Sequence, residues 1–323
     1  MLMAAPRPHV PVLLDRVVEL LGDAPDGVVV DLTLGAAGHA HAVLERRLAV
    51  HGRAQLLGID RDPDALQLAR QRLDDLGPNV EVELVHARFD ELDEVLDERG
   101  IDTVAGVLMD LGISSMHVDR PERGFSYRHE GPLDMRMDPT QPTTAADLVN
   151  DLDRTELARL LRRHGDERHA DRIARAIVAA RPLHTTTELA EVVKHAIPAA
   201  ARRTGGHPAT RTFQALRIAV NAELEALESV LPIVIERLAP GGVCVALSYH
   251  SLEDRLVKRA FAEAARGCVC PPGLPVCACG RVPLVEPLVR RPERPAAAEA
   301  DANPRATAAR LRAVRRRPDK EHP

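Results

Sequence analysis

Residues Val28–Ala40 read VVVDLTLGAAGHA, and the pattern of this stretch predicts the class of fold. An apolar run ends at Asp31, the chain turns through Gly35 and Gly38, and a helical pattern follows. A second apolar run, Leu56–Asp60, also ends in a carboxylate. A strand, a tight glycine turn and an acidic residue that closes the next strand are typical of the first half of a nucleotide-binding α/β sheet.

The spacing of the glycines restricts the ligand. A dinucleotide site needs G-x-G-x-x-G to hold a pyrophosphate, whereas the turn here is only GAAG (Gly35–Gly38), followed by His39. Such a turn suits an adenosine ligand without phosphates, such as S-adenosylmethionine, and Asp60 is placed to accept hydrogen bonds from the ribose. A plain strand-to-helix turn without a ligand is the alternative that this stretch alone leaves open.

Size and composition exclude several classes of protein. The chain has 323 residues, of which 45% are hydrophobic, and a net charge of −5. No apolar run comes near the roughly 18 residues that a membrane span needs, and Arg7, His9 and Asp15 interrupt any signal-peptide core. We therefore expect a soluble, cytoplasmic protein with no membrane partner.

Charge is distributed unevenly along the chain. Residues 1–110 carry 10 basic and 21 acidic side chains, residues 154–217 carry 13 and 6, and residues 281–323 carry 11 and 6. Two positive segments on an acidic body are able to hold a phosphate backbone, although solvated arginine-rich helices give the same pattern. With no Trp, two Tyr and four Phe, a platform that stacks many bases is disfavoured.

Further strands complete the sheet. Apolar runs predict strands at Val82–Phe89, Val104–Leu111 and Gly242–Ser248, and the alternating stretch Ala309–Arg316 predicts an edge strand. Amphipathic segments separate the early strands, which predicts a doubly wound α/β sheet, mostly parallel and covered on both faces. The Pro- and Ala-rich stretch Pro292–Pro304 is predicted to be a flexible linker.

Residues 113–212 separate the fourth and fifth strands and are too many for one crossover helix. They contain several helical patterns, one of them opened by the capping box Thr185-x-x-Glu188. We predict that residues 113–212 form a helical insert for substrate recognition, and that residues 1–112 and 213–323 form the sheet domain.

A long helix is predicted over Thr210–Leu238, with a kink or break at Pro232. Its apolar stripe faces a core, and a polar stripe at the same spacing includes Arg217 and Asn221. The polar stripe either lines a cleft or forms a solvated face.

Long motifs run through most of the chain in order: HVPVLLDRVVELL (His9–Leu21), DLTLGAAGHA (Asp31–Ala40), GIDRDP (Gly58–Pro63), DLGISS (Asp110–Ser115), RGFSYRHEGPLDMRMDP (Arg123–Pro139), HPATRTFQALRIAVNAEL (His207–Leu224), SYHSLEDRLVK (Ser248–Lys258) and NPRATAARLRAVRR (Asn303–Arg316). Together they resemble the family of bacterial ribosomal RNA small-subunit methyltransferases called RsmH or MraW, which methylate the 4-amino group of one cytidine in the decoding region. The resemblance implies a Rossmann-like class I methyltransferase fold, with a seven-stranded sheet that is parallel except for an antiparallel edge strand. It also implies S-adenosylmethionine as cofactor, and small-subunit ribosomal RNA or the assembled small subunit as partner.

The resemblance also implies a cofactor site. The turn itself indicates Gly35. The resemblance adds seven further cofactor contacts, at Ala37, Gly38, His39, Asp60, Phe89, Asp110 and His117. Phe89, at the end of the third predicted strand, either packs on adenine or is a core aromatic. Ala37 stands where the family has glycine, so a positive φ there would strain the turn.

Methyl transfer to an aromatic amine requires the site to hold the amine in line with the methyl group, and it does not require a strong base. Asp110 is the best-placed acceptor for the amine N–H groups, followed by Ser114 and Ser115, and cofactor positioning is the alternative role for Asp110. Tyr249 stands where the family usually has phenylalanine. Substrate contacts are predicted for Tyr127, Arg211, Arg217, Asn221 and Tyr249.

Four of the five cysteines fall in CVCPPGLPVCAC, at Cys268, Cys270, Cys277 and Cys279. Two C-x-C pairs are able to bind one Zn²⁺ through four thiolates. A reduced loop without metal and reversible disulfides are the two alternatives.

Two rival functions stay open from the sequence. One is a methyltransferase for DNA or a small molecule, and the other is a non-catalytic ribosome assembly factor. The sequence does not distinguish a monomer from an oligomer such as a homodimer.

Overall fold

The computed structural model describes residues 11–199, 206–271 and 279–318. The chain divides into a sheet unit, Met1–Gly112 with Ala226–Pro323, and a helical unit, Ile113–Glu225. The helical unit therefore begins where the sequence predicted but extends beyond residue 212. The reason is packing, because the helix that starts at Thr210 lies against the helices of the insert.

The sheet unit contains one seven-stranded sheet in the order β3-β2-β1-β4-β5-β7-β6. Its first five strands are parallel, while β7 pairs antiparallel with both β5 and β6. The mostly parallel, seven-stranded α/β sheet is thus confirmed. The strands are β1 (Val28–Asp31), β2 (Ala54–Asp60), β3 (Val80–His86), β4 (Val104–Asp110), β5 (Leu238–Ser248), β6 (Val285–Pro287) and β7 (Arg310–Arg316).

Helices cover both faces of this sheet. On β1, Val29 faces one core and Val30 the other, because successive side chains of a strand point to opposite faces. The core around Val29 includes residues of the helix Leu14–Gly22. The core around Val30 includes residues of three helices, Leu92–Asp97, Glu223–Arg237 and Ser251–Ala264. The helices that belong wholly or mainly to this unit are α1 (Leu14–Gly22), α2 (Gly38–His51), α3 (Pro63–Leu73), α4 (Leu92–Asp97), α11 (Glu223–Arg237), α12 (Ser251–Ala264) and α13 (Ala297–Ala302).

The helical unit has a core of its own, which includes Leu157, Ile173, Leu189 and Phe213. The capping box at the start of α9 is confirmed: the Thr185 hydroxyl accepts a hydrogen bond from the Glu188 N–H at 3.2 Å, and the Glu188 carboxylate accepts one from the Thr185 N–H at 2.9 Å. The helices are α5 (Ser115–Asp119), α6 (Ala145–Asp151), α7 (Arg154–Gly165), α8 (Ala170–Ala180), α9 (Thr186–Ala196) and α10 (Thr210–Asn221).

Two strand predictions need correction. Strand β3 ends at His86 and is largely exposed, since it lies at one edge of the sheet; Phe89 comes after it and begins a short 3₁₀ turn. The antiparallel strand predicted at Ala309–Arg316 is present as β7, but β6 lies outside it. With three residues, β6 is too short to produce a periodic pattern in the sequence.

The single helix predicted over Thr210–Leu238 is two helices, α10 and α11. The break lies at Ala222, which has a left-handed backbone (φ 49°), and Pro232 lies inside α11. The segment predicted to be a flexible linker contains a short helix. Within Pro292–Pro304, helix α13 forms and Glu299 accepts a hydrogen bond from the Leu13 N–H at 2.7 Å, which ties this segment to the start of α1. Among the described residues, no helix combines the length and the apolar character that a membrane crossing requires.

Candidate active site at the carboxyl edge of the sheet

The sheet changes winding direction between β1 and β4, which are neighbours in space but separated by β2 and β3 in the chain. In open α/β sheets, ligands bind outside the carboxyl ends of the strands at such a switch point. Three carboxyl groups end the strands around it: Asp31 on β1, Asp60 on β2 and Asp110 on β4. This edge is therefore the candidate site.

Asp60 anchors the glycine turn. One of its carboxylate oxygens accepts a hydrogen bond from the Gly35 N–H at 2.7 Å, and the other accepts one from the Asp62 N–H at 2.8 Å. Gly35 has φ +53°, a conformation that glycine adopts without strain. Because each carboxylate oxygen has two acceptor positions, these contacts are compatible with the predicted ribose contact of Asp60.

Ala37 adopts the strained conformation that the sequence analysis anticipated. Its φ is 57° and its ψ is 31°, it is fully buried, and it immediately precedes helix α2. The next residue, Gly38, has no room for a side chain, since a Cβ there would come within 2.6 Å of Pro11 Cγ. The turn thus keeps its shape through one glycine that is required for space and one alanine that carries backbone strain.

Substitutions at Ala37 are expected to have asymmetric effects on stability. Ala37→Gly removes a left-handed penalty of about 1–2 kcal/mol and loses a buried methyl worth about 0.8 kcal/mol, so the unfolding free energy should change by less than about 1 kcal/mol. Ala37→Val places a branched side chain in the same conformation and should cost more than about 2 kcal/mol. Urea unfolding measures both. Ala36→Val, in the same turn without a positive φ, is the control, and an equal loss in the two valine variants would contradict the strain argument.

Asp110 is held on several sides within the sheet unit. The Tyr249 hydroxyl donates a hydrogen bond to its Oδ1 at 2.8 Å, and His39 Nδ1 lies 3.5 Å from its Oδ2. The other ring nitrogen of His39 lies 2.9 Å from the Val12 carbonyl oxygen. The Asp110 backbone N–H donates to the Thr33 hydroxyl at 2.6 Å. The carboxylate therefore has a fixed orientation at the mouth of the site, with its side chain 26% exposed.

Tyr249 acts as a neutral donor in this arrangement. Burial raises the pKa of its phenol, and the neighbouring negative charge of Asp110 raises the pKa further. A phenol in this state donates a hydrogen bond but does not accept a proton from a substrate. The hydroxyl that distinguishes Tyr249 from phenylalanine thus orients the carboxylate of Asp110.

Asp31 has a different electrostatic character. It is 2% exposed, and burial raises the pKa of its carboxyl to about 8, against a hydrogen bond from the Thr33 N–H that lowers it. The charges of Asp110 and Asp60 raise the pKa further. At neutral pH this carboxyl group is mainly protonated, and the negative charge of the site comes from the other two carboxylates.

Several of the remaining predicted site residues lie in the helical unit. His117 is buried and stacks on Phe125, with ring centroids 4.8 Å apart. The Ser114 hydroxyl caps α5 by accepting from the Met116 N–H at 3.1 Å, and the side chain of Ser115 falls outside the described part of the structure. Tyr127 stacks on His207 at 4.3 Å, so one face of its ring is already covered.

Two predicted substrate contacts are instead structural. Asn221 is fully buried; its side chain accepts from the Met137 N–H and donates to the Met135 carbonyl, both at 2.8 Å. Arg217 forms a two-pronged ion pair with Glu223 in which both side chains are nearly buried. The polar stripe of α10 therefore binds the loop that contains Met135 and Met137, and also Glu223, the residue at which the next helix begins. Arg211 is exposed, and one of its guanidinium nitrogens donates to the Asp166 carbonyl at 3.0 Å.

The described cysteines of the C-x-C motif lie together. The sulfur atoms of Cys268, Cys270 and Cys279 are within 4.8 Å of one another, while Cys277 lies outside the described residues. Phe89 is half-buried beside the core of the sheet unit, so packing on adenine stays a prediction.

Sequence reasoning missed two residues of the site. Thr33 bonds both Asp31 and the Asp110 backbone, and Asp31 is a buried acid as well as the last residue of β1. The signal for Asp31 was available, because an acidic residue directly after three valines on a central strand is expected to be buried.

The chain is similar in sequence to known proteins. The model of the MraW methylase family matches residues 6–317. Three curated relatives carry the name Ribosomal RNA small subunit methyltransferase H. The protein of Symbiobacterium thermophilum is 52% identical over 95% of this chain and 96% of its own length. The protein of Acidothermus cellulolyticus is 55% identical over 95% and 93%, and that of Heliobacterium modesticaldum is 50% identical over 95% and 97%.

Proposed function

The chain belongs to the MraW methylase family, and on that premise we propose that it methylates the 4-amino group of a cytidine in small-subunit ribosomal RNA, with S-adenosylmethionine as methyl donor. The name shared by the relatives supports the RNA substrate. The geometry at the carboxyl edge of the sheet supports the cofactor and the chemistry.

The observation that carries the proposal is the electrostatics of the switch point. Asp31, Asp60 and Asp110 end three adjacent strands there, and the charges of Asp60 and Asp110 both act on Asp31. Such an edge repels a pyrophosphate and attracts a cation. It fits a sulfonium cofactor whose adenosine lies against the Gly35–Gly38 turn and whose ribose is bound by Asp60.

S-adenosylmethionine supplies the methyl group, and the chain supplies the geometry. Asp110 accepts a hydrogen bond from the exocyclic amine, which directs the nitrogen lone pair toward the methyl group. Tyr249 and His39 hold that carboxylate in position. A reacting pair held at about 3–3.5 Å gains much of its rate from proximity. The nitrogen would release one proton to water as it gains the methyl group, so no strong base is required, and the cofactor would leave as a neutral thioether.

The helical unit supplies the RNA contacts in this proposal. Arg168, Arg172 and Arg175 are exposed at and along α8, whereas Arg162 and Arg163 pair with acidic neighbours. RNA recognition relies on phosphates, sugar hydroxyls and unstacked bases, and a base must leave its stack to be methylated at its amine. Tyr127, which is half-buried and contacts His207 and Phe213, is the aromatic residue that we assign to the substrate base.

A parallel methylation assay tests the proposed function. The protein is incubated with labelled S-adenosylmethionine and equal amounts of naked small-subunit RNA, assembled small subunits or DNA, and the product is mapped by mass spectrometry. We expect 4-methylcytidine in the ribosomal RNA and no transfer to DNA. Transfer to DNA alone would reject the RNA substrate, and failure of calorimetry to detect cofactor binding at millimolar concentration would favour a non-catalytic assembly factor.

A further inference from the structure

A cysteine cluster, formed by Cys268, Cys270 and Cys279, follows helix α12 in the sheet unit. Their sulfur atoms lie within 4.8 Å of one another, and none of the three is in a disulfide bond. The methyl-transfer reaction has no use for these residues. We propose that the cysteine cluster binds a zinc ion in a structural site, and that this ion crosslinks the connection between α12 and β6.

The spacing of the sulfur atoms fits a shared metal ion. The Sγ atoms of Cys268 and Cys279 are 3.7 Å apart. Two thiolates on a tetrahedral zinc ion, each with a Zn–S bond of about 2.3 Å, are separated by about 3.8 Å. A disulfide requires about 2.05 Å between the sulfur atoms, so the observed pair is not bonded and has a separation that two ligands of one zinc ion can adopt.

Backbone donors surround the same sulfur atoms. The Cys270 N–H points at Cys268 Sγ over 3.4 Å, and the Val269 N–H points at Cys279 Sγ over 3.5 Å. Hydrogen bonds to a charged group favour its charged form, and the thiolate is the form of cysteine that binds metals. The loop backbone is thus arranged to support negative charge on two of the three ligands.

Thiolate chemistry selects zinc over the hard divalent cations. Magnesium and calcium prefer oxygen ligands, whereas sulfur-rich tetrahedral sites favour zinc. The described residues supply three thiolates, the ligand type that structural zinc sites use most.

The position of the cysteine cluster explains what the metal would stabilise. The Leu284 N–H donates to the Ala264 carbonyl at 2.8 Å, and Arg281 pairs with Glu263 at 2.6 Å, so the two ends of the connection meet at the end of α12. The outer strand β6 begins directly afterwards and has only three residues. A zinc ion that crosslinks the connection adds its binding free energy to the folded state and thereby stabilises this edge of the sheet.

Metal analysis of the intact chain tests the proposal. The full-length protein is purified without a histidine tag, under reducing conditions, and dialysed against metal-free buffer. Mass-spectrometric elemental analysis is expected to find one zinc ion per chain, and Cys268→Ser, Cys270→Ser and Cys279→Ser should each lose most of it to a competing chelator. Cys244→Ala is the matched control, since Cys244 is buried within β5, and it should retain the metal.

A spectroscopic readout covers the case in which the serine variants do not fold. Cobalt(II) replaces zinc in the wild-type protein and should give the intense sulfur-to-metal charge-transfer absorption of a thiolate site. Absence of that band, absence of zinc from the wild-type protein, or wild-type zinc content in the serine variants would each overturn the proposal. A Cys268–Cys279 disulfide in the freshly purified protein would overturn it as well.

Discussion

Replacing Asp110 by asparagine is expected to lower the rate of methyl transfer by about 10²–10³-fold, the range lost when one positioned hydrogen-bonding group is removed from a reacting centre. Asparagine has nearly the same shape as aspartate, but its neutral amide is a weaker acceptor for the substrate amine. Tyr249 and His39, which lie against the two carboxylate oxygens in the wild-type protein, would face an oxygen and an amide nitrogen instead. The measurement is single-turnover methylation of ribosomal RNA at saturating cofactor.

Cofactor affinity separates the two roles of Asp110. If Asp110 acts on the substrate amine, calorimetry should show S-adenosylmethionine binding to the asparagine variant within about tenfold of wild type, because most of the lost interaction forms only with the substrate. A large loss of affinity with near-normal turnover at saturation would assign Asp110 to cofactor positioning. Near-normal values of both would remove Asp110 from the mechanism.

Tyr249→Phe is the matched control for this experiment. It removes only the hydroxyl that donates to Asp110 Oδ1 and leaves the buried ring in place. A hydrogen bond to a charged group is worth about 1.5–3 kcal/mol, of which a fraction reaches the transition state, so we expect a loss of about tenfold or less. If this loss equalled that of Asp110→Asn, Tyr249 itself would be a catalytic residue.

Local sequence signals were sufficient for the centre of the sheet and for the cofactor turn. Strand β1, the GAAG turn and Asp60 depend on an apolar run, on glycines and on the next strand, all of which are close in the chain. The strain at Ala37 could also be stated in advance, because only glycine is free at a positive φ. The structure confirms that strain at φ 57°.

Long-range contacts decided the features that sequence reasoning missed. The bond between Tyr249 and Asp110 joins residues 139 positions apart and depends on the register of β5 beside β4. The break at Ala222 follows a buried Asn221 whose amide is bound to a loop more than 80 residues upstream. Neither alanine nor asparagine at these positions signals a break, whereas Pro232, which does signal one, lies within a continuous helix.

Asp31→Asn is expected to remove a loss of several kcal/mol in unfolding free energy that the wild-type protein undergoes between about pH 4 and pH 8. Burial raises the pKa of Asp31 to about 8 in the folded protein, against 3.8 for an unperturbed carboxyl group. Between about pH 4 and pH 8 the folded chain therefore holds a proton that the unfolded chain has lost, so the contribution of Asp31 to the unfolding free energy is largest below pH 4 and falls by about 1.4 kcal/mol per pH unit across this window.

Asparagine reproduces the protonated, neutral form of Asp31 and can accept the same hydrogen bond from the Thr33 N–H. The variant should have similar stability to wild type at pH 4.5 and be more stable by a few kcal/mol at pH 8, as measured by urea unfolding at both pH values. Asp15→Asn, at an exposed position, is the control and should show a nearly constant difference from wild type. A constant difference for Asp31→Asn as well would mean that Asp31 is ionised throughout, and the site would then face the cofactor with three negative charges instead of two.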